Sequence, residues 1–207
     1  MSTRVDIEVL NDTHLDEIAK LTHSTEDFAA FVSLLGLAYV KNIYIKNILE
    51  IAFGFVVKID GKFAGFLIST DDLKSYFTHI TSRRKLQSLP YVIKFAIFHP
   101  LAFINLVRVK LFLKEYEIMD VNAELVLFAV KQEYRSSDFL KTTGINVSKL
   151  LMEETLAEFQ RRKTNKIKLE VPANNILAQV FYRSFGFIKE SEIEFNKVKR
   201  NIYVKTL

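Results

Sequence analysis

The chain has 207 residues and is 49% hydrophobic, which is enough to bury the core of one domain. It has no cysteine, and this excludes disulfides, thiolate nucleophiles and cysteine-ligated zinc. The net charge of +5 has a local cause, because residues 73–114 hold eight basic and no acidic residues, which leaves 5 − 8 = −3 for the remainder.

The first part of the chain predicts a strand, helices and a hairpin. In chain order, these are a strand over 4–9, a helix over 12–23, a helical region over 28–51, and strands over 51–59 and 62–69. Asp12 or Thr13 is placed to cap the first helix, and Gly36 divides the longer helical region. Asp60-Gly61 is a strong two-residue hairpin signal between the last two strands.

The second part alternates strands and helices after a long insertion. The predicted elements are a strand over 124–130, a helix over 148–162, a strand over 167–171, a helix ending at 185, and strands over 187–194 and 201–205. The almost unbroken apolar run of the first strand is typical of a central strand covered on both faces. Asn174 or Asn175 caps the last helix, and Gly186 is a favoured left-handed residue at its end.

Two blocks in the last third of the chain carry a resemblance. The first is Ala123 to Arg135, and the second combines Leu169-Glu170-Val171, Asn175 to Ala178 and Phe181 to Phe187. In this order they resemble the cofactor half of the GNAT N-acetyltransferase superfamily, whose element order the chain also shares. The resemblance implies one GNAT domain over residues 1–207, of the α/β (α+β) class. Its mixed, mostly antiparallel sheet would be flanked by helices, with a helical insertion over 71–120 between the third and fourth strands.

The resemblance also implies acetyl-CoA as the acyl-donor cosubstrate. In this superfamily a Q/R-x-x-G-x-G/A turn holds the pyrophosphate through backbone N–H groups and a helix N-terminus. Residues 130–135 match the approach to that turn, but about eight extra residues, 138–145, follow. Asn146 and Ser148 then stand where glycines are expected, unless Gly144 is the first glycine; an ordinary strand–loop–helix connection is the alternative. The predicted cofactor-binding residues are Phe128, Ala129, Val130, Arg135, Ser136, Ser137, Asn146, Val147, Ser148, Lys149, Asn175 and Ala178.

Two further residues are candidates for the chemistry, which needs a neutral amine and a protonated leaving thiolate. Tyr182 matches the tyrosine commonly assigned as the general acid, and a half-buried helix tyrosine is the alternative. Glu124 stands where histone-acetylating members carry a catalytic glutamate. A carboxylate among apolar residues can have its pKa raised toward neutrality, as a base for an ammonium requires. A strand-end glutamate paired with a lysine is the alternative.

The insertion is the part of the sequence that concerns the acceptor. It is too long for a bare loop, and polar residues interrupt its apolar part, so it does not read as a membrane-spanning helix. We predict two or more helices broken at His99-Pro100, as a lid on the sheet, a wall of a cavity for an anionic substrate, or a surface for anionic lipid. A lid or pocket is favoured, because the acceptor side must be built from these helices. Together with Leu34-Leu35-Gly36 and Tyr44, the insertion resembles GNAT members associated with bacterial surface-polysaccharide genes.

The sequence therefore predicts acetyl-CoA-dependent N-acetylation of a primary amine of a small molecule, with an amino sugar as one acceptor. The alternative is a non-catalytic GNAT-like module that binds acyl-CoA or an anionic membrane surface. We expect no metal and no nucleic-acid partner, because the histidines lack ligand spacing and no nucleic-acid-reading motif is found. Residues 1–9 lack a secretory signal, which predicts a cytoplasmic protein. The oligomeric state, a homodimer included, stays open.

Overall fold

A seven-stranded sheet forms the centre of the computed structural model, which describes residues 3–25, 34–101, 103–104, 121–195 and 198–207. Its strands are β1 (Val5–Val9), β2 (Phe53–Ile59), β3 (Lys62–Thr70), β4 (Ala123–Val130), β5 (Lys166–Pro172), β6 (Ile188–Phe195) and β7 (Val198–Thr206). The order across the sheet is β1-β2-β3-β4-β5-β7-β6. All neighbours are antiparallel except β4 and β5. The prediction of a mixed, mostly antiparallel sheet is confirmed.

Helices cover both faces of the sheet. They are α1 (Leu15–Ser24), α2 (three successive segments, Leu37–Tyr39, the π-helical Val40–Ile45, and Lys46–Leu49), α3 (Leu73–Ser82), α4 (Lys85–Phe98), α5 (Gln132–Arg135), α6 (Ser137–Thr143), α7 (Val147–Arg161) and α8 (Ile176–Ser184). On one face Ile18, Ile48 and Tyr76 of the first three helices share a buried cluster with Phe66 of β3. On the other face α7 contributes Leu151, Met152 and Phe159 to a second cluster. Burying both faces explains the continuous apolar run of β4.

Turn and cap residues set most of the element ends. Asp60 and Gly61 adopt positive φ angles of 49° and 73° and join β2 to β3 in the predicted hairpin. The start of α1 differs from the prediction, because Asn11 rather than Asp12 or Thr13 supplies the cap. Its Oδ1 accepts a hydrogen bond of 2.9 Å from the Thr13 amide, and a short 3₁₀ turn then leads into α1.

The helical regions predicted over 28–51 and in the insertion are present over the described residues. Residues 28–51 form α2 after Gly36, whose φ is 88°, and residues 28–33 lie outside the described ranges. The insertion forms α3 and α4, and α4 ends at Phe98, next to the predicted break at His99-Pro100. Its remaining basic residues, Arg108, Lys110 and Lys114, lie outside the described ranges.

Candidate active site

The two parallel strands separate soon after they pair. β4 and β5 are in register only at Ala123 with Ile167 and at Glu124 with Lys168. Beyond these pairs a cavity of about 730 Å³ is lined by residues of β4, β5 and α8 and of the segment 132–148. Cavities of this volume are typical of sites for small molecules and cofactors. The parallel pair therefore places a cofactor-sized cavity in the middle of the sheet.

Backbone amides of β4 are directed into this cavity. The Lys131 N–H donates to the Ala64 carbonyl oxygen at 2.8 Å. This bond shows which residues of β4 direct their N–H groups toward β3. Because successive residues of an antiparallel strand point their N–H groups in opposite directions, the amides of Phe128 and Val130 face away from β3. The same alternation turns the Ala129 amide toward β3, although Ala129 also lines the cavity. Two of the three predicted backbone donors thus face the opening.

The N-terminus of α7 lies at the same cavity, where Asn146 and Ser148 line it. Asn146 caps the helix, since its Oδ1 accepts a hydrogen bond of 3.0 Å from the Lys149 amide. The amides of Val147 and Ser148 have no acceptor among the described residues. Such N–H groups at a helix N-terminus form a favourable site for an anion.

The extra residues before α7 form a helix rather than an extended loop. Ser136 caps α6 by accepting a hydrogen bond of 3.2 Å from the Phe139 amide. Gly144, with a φ of 69°, ends the helix, and its amide donates to the Leu140 carbonyl oxygen at 2.8 Å. Gly144 is therefore the end of α6, a position that requires a left-handed conformation. Ser136 and Leu140 line the cavity, so α6 forms part of its wall.

Most of the predicted site residues meet at this cavity. Those that line it are Phe128, Ala129, Val130, Arg135, Ser136, Asn146, Ser148, Asn175, Ala178 and Tyr182. Three predicted cofactor residues do not line it. Val147 is fully buried in the core beneath α7, the Lys149 ammonium lies 3.6 Å from Glu153, and Ser137 is exposed in the first turn of α6. The side chains of these three residues therefore do not reach the cavity.

A buried polar network holds α8 against β7. The Gln179 Oε1 accepts hydrogen bonds from the Asn201 side-chain amide and from the Tyr203 hydroxyl, both at 3.0 Å. At the start of the helix, Asn175 caps α8 by accepting a bond of 3.1 Å from the Ala178 amide. The predicted capping role of Asn175 is confirmed. The cap at Asn175 and the hydrogen bonds of Gln179 hold α8 on either side of Ala178, so Ala178 lies at the cavity in a defined position.

Tyr182 follows one helical turn after Ala178, on the same side of α8. Its ring lies 5.6 Å from Phe181 and 6.0 Å from Phe187, measured between ring centroids. It is half-buried, and it lines the cavity as the sequence predicts. Aromatic neighbours on two sides hold the ring in place.

Glu124 does not line the cavity itself but lies next to it at the start of β4. Its side chain is 12% exposed, and its Oε2 lies 3.9 Å from the Lys168 Nζ. Burial raises the pKa of Glu124 to about 8, the negative charge of Glu170 adds to this, and Lys168 opposes it. Burial likewise lowers the pKa of Lys168, while the two carboxylates oppose that change. Glu124 thus has the lysine partner expected of a strand-end glutamate and also the raised pKa expected of a base.

Further charged residues extend this cluster, and the sequence analysis did not single them out. Glu170 and Arg200 line the cavity, and the Arg200 Nη1 lies 3.7 Å from the Glu170 Oε2. From α3, Tyr76 lies close enough that the Glu124 charge contributes to raising its pKa, after burial and the neighbouring Tyr44. The signal that could have revealed Lys168 and Glu170 is their alternation with apolar residues in a strand that is otherwise buried.

The described part of the insertion, which the sequence suggested as a wall of a cavity for an anionic substrate, does not bring Arg83 or Arg84 to the cavity. Its described residues, up to 101 and at 103–104, do not line the cavity. The Arg84 guanidinium instead bonds to Asn47 of α2 and to Glu50, which directly follows α2. The Arg83 Nε lies 3.4 Å from the Glu50 Oε2. These ion pairs hold the pKa of Glu50 below its usual value. The two arginines therefore attach the insertion to α2 rather than line a substrate pocket.

Neither a metal site nor a membrane-spanning helix is found among the described residues. Within those ranges, no group of three or more acidic or histidine residues is placed to hold a metal ion. Over the same ranges, no helix has the length and hydropathy needed to cross a bilayer.

Comparison with solved structures gives the fold. The ribosomal-protein-S18-alanine N-acetyltransferase from Escherichia coli is 16% identical, with a TM-score of 0.59 over 98% of this chain and 94% of that chain. The PaiA N-acetyltransferase from Thermoplasma acidophilum, solved in complex with coenzyme A, is 14% identical with a TM-score of 0.58. An acetyltransferase of the GNAT family from Streptococcus pneumoniae is 16% identical with a TM-score of 0.58. The last two alignments each cover 99% of both chains.

Sequence comparison adds no closer relative. No family model matches the chain, and no curated protein matches its sequence. At the identities of the structural matches, the likeness establishes the fold and nothing finer. This chain has the fold of the GNAT acetyltransferases, as the sequence resemblance predicted.

Proposed function

We propose that this protein is an acetyl-CoA-dependent N-acetyltransferase acting on a primary amine of a small molecule. The observation that carries the proposal is the meeting, at one cavity, of outward β4 amides, the open N-terminus of α7 and the Glu170 carboxylate, with the buried Glu124 next to the cavity. Acyl transfer to an amine needs donors for the acyl oxygen, a site for the cofactor phosphates and a base for the amine. The described residues offer all three.

The cofactor side of the proposal depends on β4, α7 and α8. When bound, acetyl-CoA supplies the acetyl group as a thioester. The amides of Val147 and Ser148 would hold the pyrophosphate, with Arg135 at the mouth of the cavity adding positive charge. The amides of Phe128 and Val130 would bind the pantetheine arm and the acyl oxygen. The arm would pass Ala178, a side chain small enough to leave room. The chain fits this group despite its glycine-poor loop, because Asn146 engages only the Lys149 amide.

The chemistry is assigned to Glu124 and Tyr182. Transfer forms a C–N bond and breaks the C–S bond of the thioester, so the neutral amine loses one proton as the amide forms and the departing thiolate gains one. An acceptor that arrives as an ammonium first releases one further proton to solvent. Glu124 would accept the amine proton, and its raised pKa near 8 suits that role. The Tyr182 hydroxyl would donate to the thiolate. Glu170, which lines the cavity, would attract the ammonium form of the acceptor.

The finer part of the proposal is the acceptor, for which we favour an amino sugar. Its support is the resemblance of the insertion to GNAT members associated with surface-polysaccharide genes. A protein N-terminus is the competing acceptor, because the structural neighbour from Escherichia coli is described as an acetyltransferase of a ribosomal-protein alanine.

A thiol-release assay tests the proposal. The full chain is incubated with acetyl-CoA and, separately, amino sugars, nucleotide-linked amino sugars, polyamines and a peptide with an N-terminal alanine, and free thiol is followed against hydrolysis without acceptor. We expect one class to accelerate release and the product to gain one acetyl group by mass spectrometry. Release at the hydrolysis rate with every amine, although acetyl-CoA binds, would favour the non-catalytic module instead.

A further inference from the structure

Helix α4 turns an apolar face toward solvent. Leu86, Leu89, Ile93 and Ile97 follow the spacing of one helix face and are 86%, 51%, 50% and 68% exposed. The opposite face holds the helix to the protein, where Phe95 is buried. A surface helix normally shows the reverse arrangement, with its polar side outward, so this exposed face needs a partner to explain it.

Three more exposed apolar side chains follow at the end of the helix and just beyond it. Phe98, Leu101 and Ile104 are 68%, 79% and 50% exposed. With the four side chains above, they make seven of the seventeen exposed large apolar side chains among the described residues, within only nineteen positions of the chain. We call these seven residues the α4 surface. Scattered exposed apolar side chains are ordinary, but a concentration of this kind marks an interaction site.

Charge indicates what kind of partner fits. Helical spacing places Lys85 and Lys94 on opposite sides of the apolar face; both are exposed, and neither forms an ion pair with the described residues. The sequence from Leu73 to Lys114 contains no acidic residue. A second copy docked about a two-fold axis would oppose lysines with lysines, which is unfavourable. An anionic lipid surface matches both the apolar face and its basic border.

The α4 surface is also attached firmly to the protein. The Arg84 side chain, 13% exposed, bonds to Glu50 and Asn47 just before α4 begins, and the ring of Tyr91 lies 5.7 Å from that of Tyr39. These contacts tie α4 to α2, so its outward face has a fixed orientation on the helical layer. A helix anchored in this way can lie in a membrane interface without crossing the bilayer.

We propose that the α4 surface docks this protein peripherally on a membrane rich in anionic lipid. The apolar side chains would enter the boundary between headgroups and acyl chains, while Lys85 and Lys94 would lie against lipid phosphates. The proposal concerns attachment and does not depend on acetyl transfer. It can therefore stand or fail separately from the proposed activity.

Vesicle co-sedimentation of the full chain tests this, with phosphatidylcholine vesicles that contain or lack phosphatidylserine and without acetyl-CoA. The test variant is Leu86→Asp with Ile97→Asp. The matched control is Ile188→Asp with Val9→Asp, whose wild-type side chains are similarly exposed at 73% and 68%. Melting curves confirm that each variant is folded. We expect binding only with phosphatidylserine, weakened at least tenfold in the test variant and unchanged in the control.

The charge contribution has its own comparison. Lys85→Gln with Lys94→Gln should weaken binding by about fivefold per lysine at low salt, and the Lys→Arg pair should restore it. Absence of wild-type binding, or equal losses in the test and control variants, would overturn the proposal. A dimer in sedimentation velocity that Leu86→Asp with Ile97→Asp abolishes, without vesicle binding, would assign the surface to a second copy instead. Binding of the α4 surface to an acidic protein, without binding to phosphatidylserine vesicles, would likewise overturn the proposal.

Discussion

Glu124 experiences opposing influences on its charge. Burial and the Glu170 carboxylate favour its protonated form, and Lys168, with its Nζ at 3.9 Å, favours the carboxylate. The net effect is a pKa raised to about 8, in a side chain that is 12% exposed. A carboxyl group in this state titrates near neutral pH, whereas an exposed glutamate is already ionised there. Residue-scale predictions therefore follow from its titration.

The kcat/KM of the wild-type protein should rise with pH through about 8, because only the deprotonated Glu124 can accept the amine proton. Glu124→Gln should lower kcat/KM and remove this rise with pH, which is the acidic limb of the pH profile. Glu170→Gln should move the limb to lower pH, and Lys168→Met to higher pH, since each removes one of the two charges that act on Glu124. Glu190→Gln, at an exposed position, serves as the control. An unchanged limb in Glu124→Gln would assign the titration to the acceptor amine.

Tyr182→Phe should reduce turnover by roughly 10²-fold, because the departing thiolate loses its proton donor. The affinity for acetyl-CoA should change little, since the ring and its aromatic neighbours remain. Steady-state kinetics with a calorimetric titration separates the two effects. Tyr91→Phe on α4 is the control. Wild-type turnover in Tyr182→Phe would exclude the hydroxyl group from the chemistry.

At the scale of elements, the first turn of α7 combines a side-chain cap with amides that have no acceptor among the described residues. Asn146 stands where the superfamily pattern has glycine, and its side chain caps the helix. The amides next to it, of Val147 and Ser148, stay available for an anion. Substitutions at residue 146 can therefore separate helix stability from phosphate binding.

Asn146→Ala should lower the free energy of unfolding by about 1 kcal/mol through loss of the cap. Asn146→Asp keeps the cap and its charge suits a helix N-terminus, so its stability should equal or exceed that of the wild type. The same charge should repel the pyrophosphate and weaken acetyl-CoA binding by about tenfold, or ~1.4 kcal/mol. Chemical denaturation and calorimetry measure the two effects. Wild-type affinity in Asn146→Asp would place the phosphates elsewhere.

The junction between α3 and α4 gives a second element-scale prediction. Arg84 is 13% exposed and bonds to Glu50 and Asn47, whereas Arg83 is 61% exposed. Arg84→Ala should therefore lower the free energy of unfolding by about 1.5–3 kcal/mol, and Arg83→Ala by less than about 0.5 kcal/mol. Urea denaturation compares them. Equal effects on the free energy of unfolding would contradict this difference between the two arginines.

At the scale of the whole molecule, local patterns predicted the architecture well. The apolar run of β4, the Asp60-Gly61 turn and Gly186, with a φ of 84°, each occur in the predicted role. The helix α6 was missed, although Ser136 and Gly144 mark its two ends. The charged cluster could not be predicted, because the pairing of Glu124 with Lys168 depends on the register of two strands distant in sequence. The contact of Arg84 with Glu50, 34 residues away, is hidden for the same reason.

Among the described strands, β4 and β5 are the one parallel pair, and the candidate site lies where they separate. Because β4 and β5 part after two paired residues, the sheet opens where strand amides, two helix N-termini and a carboxylate cluster converge. An acetyl-CoA site in this opening is the central claim. Ala178 lies on its wall, and Val180, two residues on and 53% exposed, does not line it.

A calorimetric titration of acetyl-CoA into the wild-type protein, Ala178→Leu and Val180→Leu tests this claim most directly. We expect the wild type and Val180→Leu to bind one acetyl-CoA per chain with similar affinity. Ala178→Leu should bind at least tenfold more weakly, because the larger side chain occupies the path of the pantetheine arm. No heat and no rise in melting temperature for the wild type at millimolar acetyl-CoA, or equal affinity in all three proteins, would contradict it.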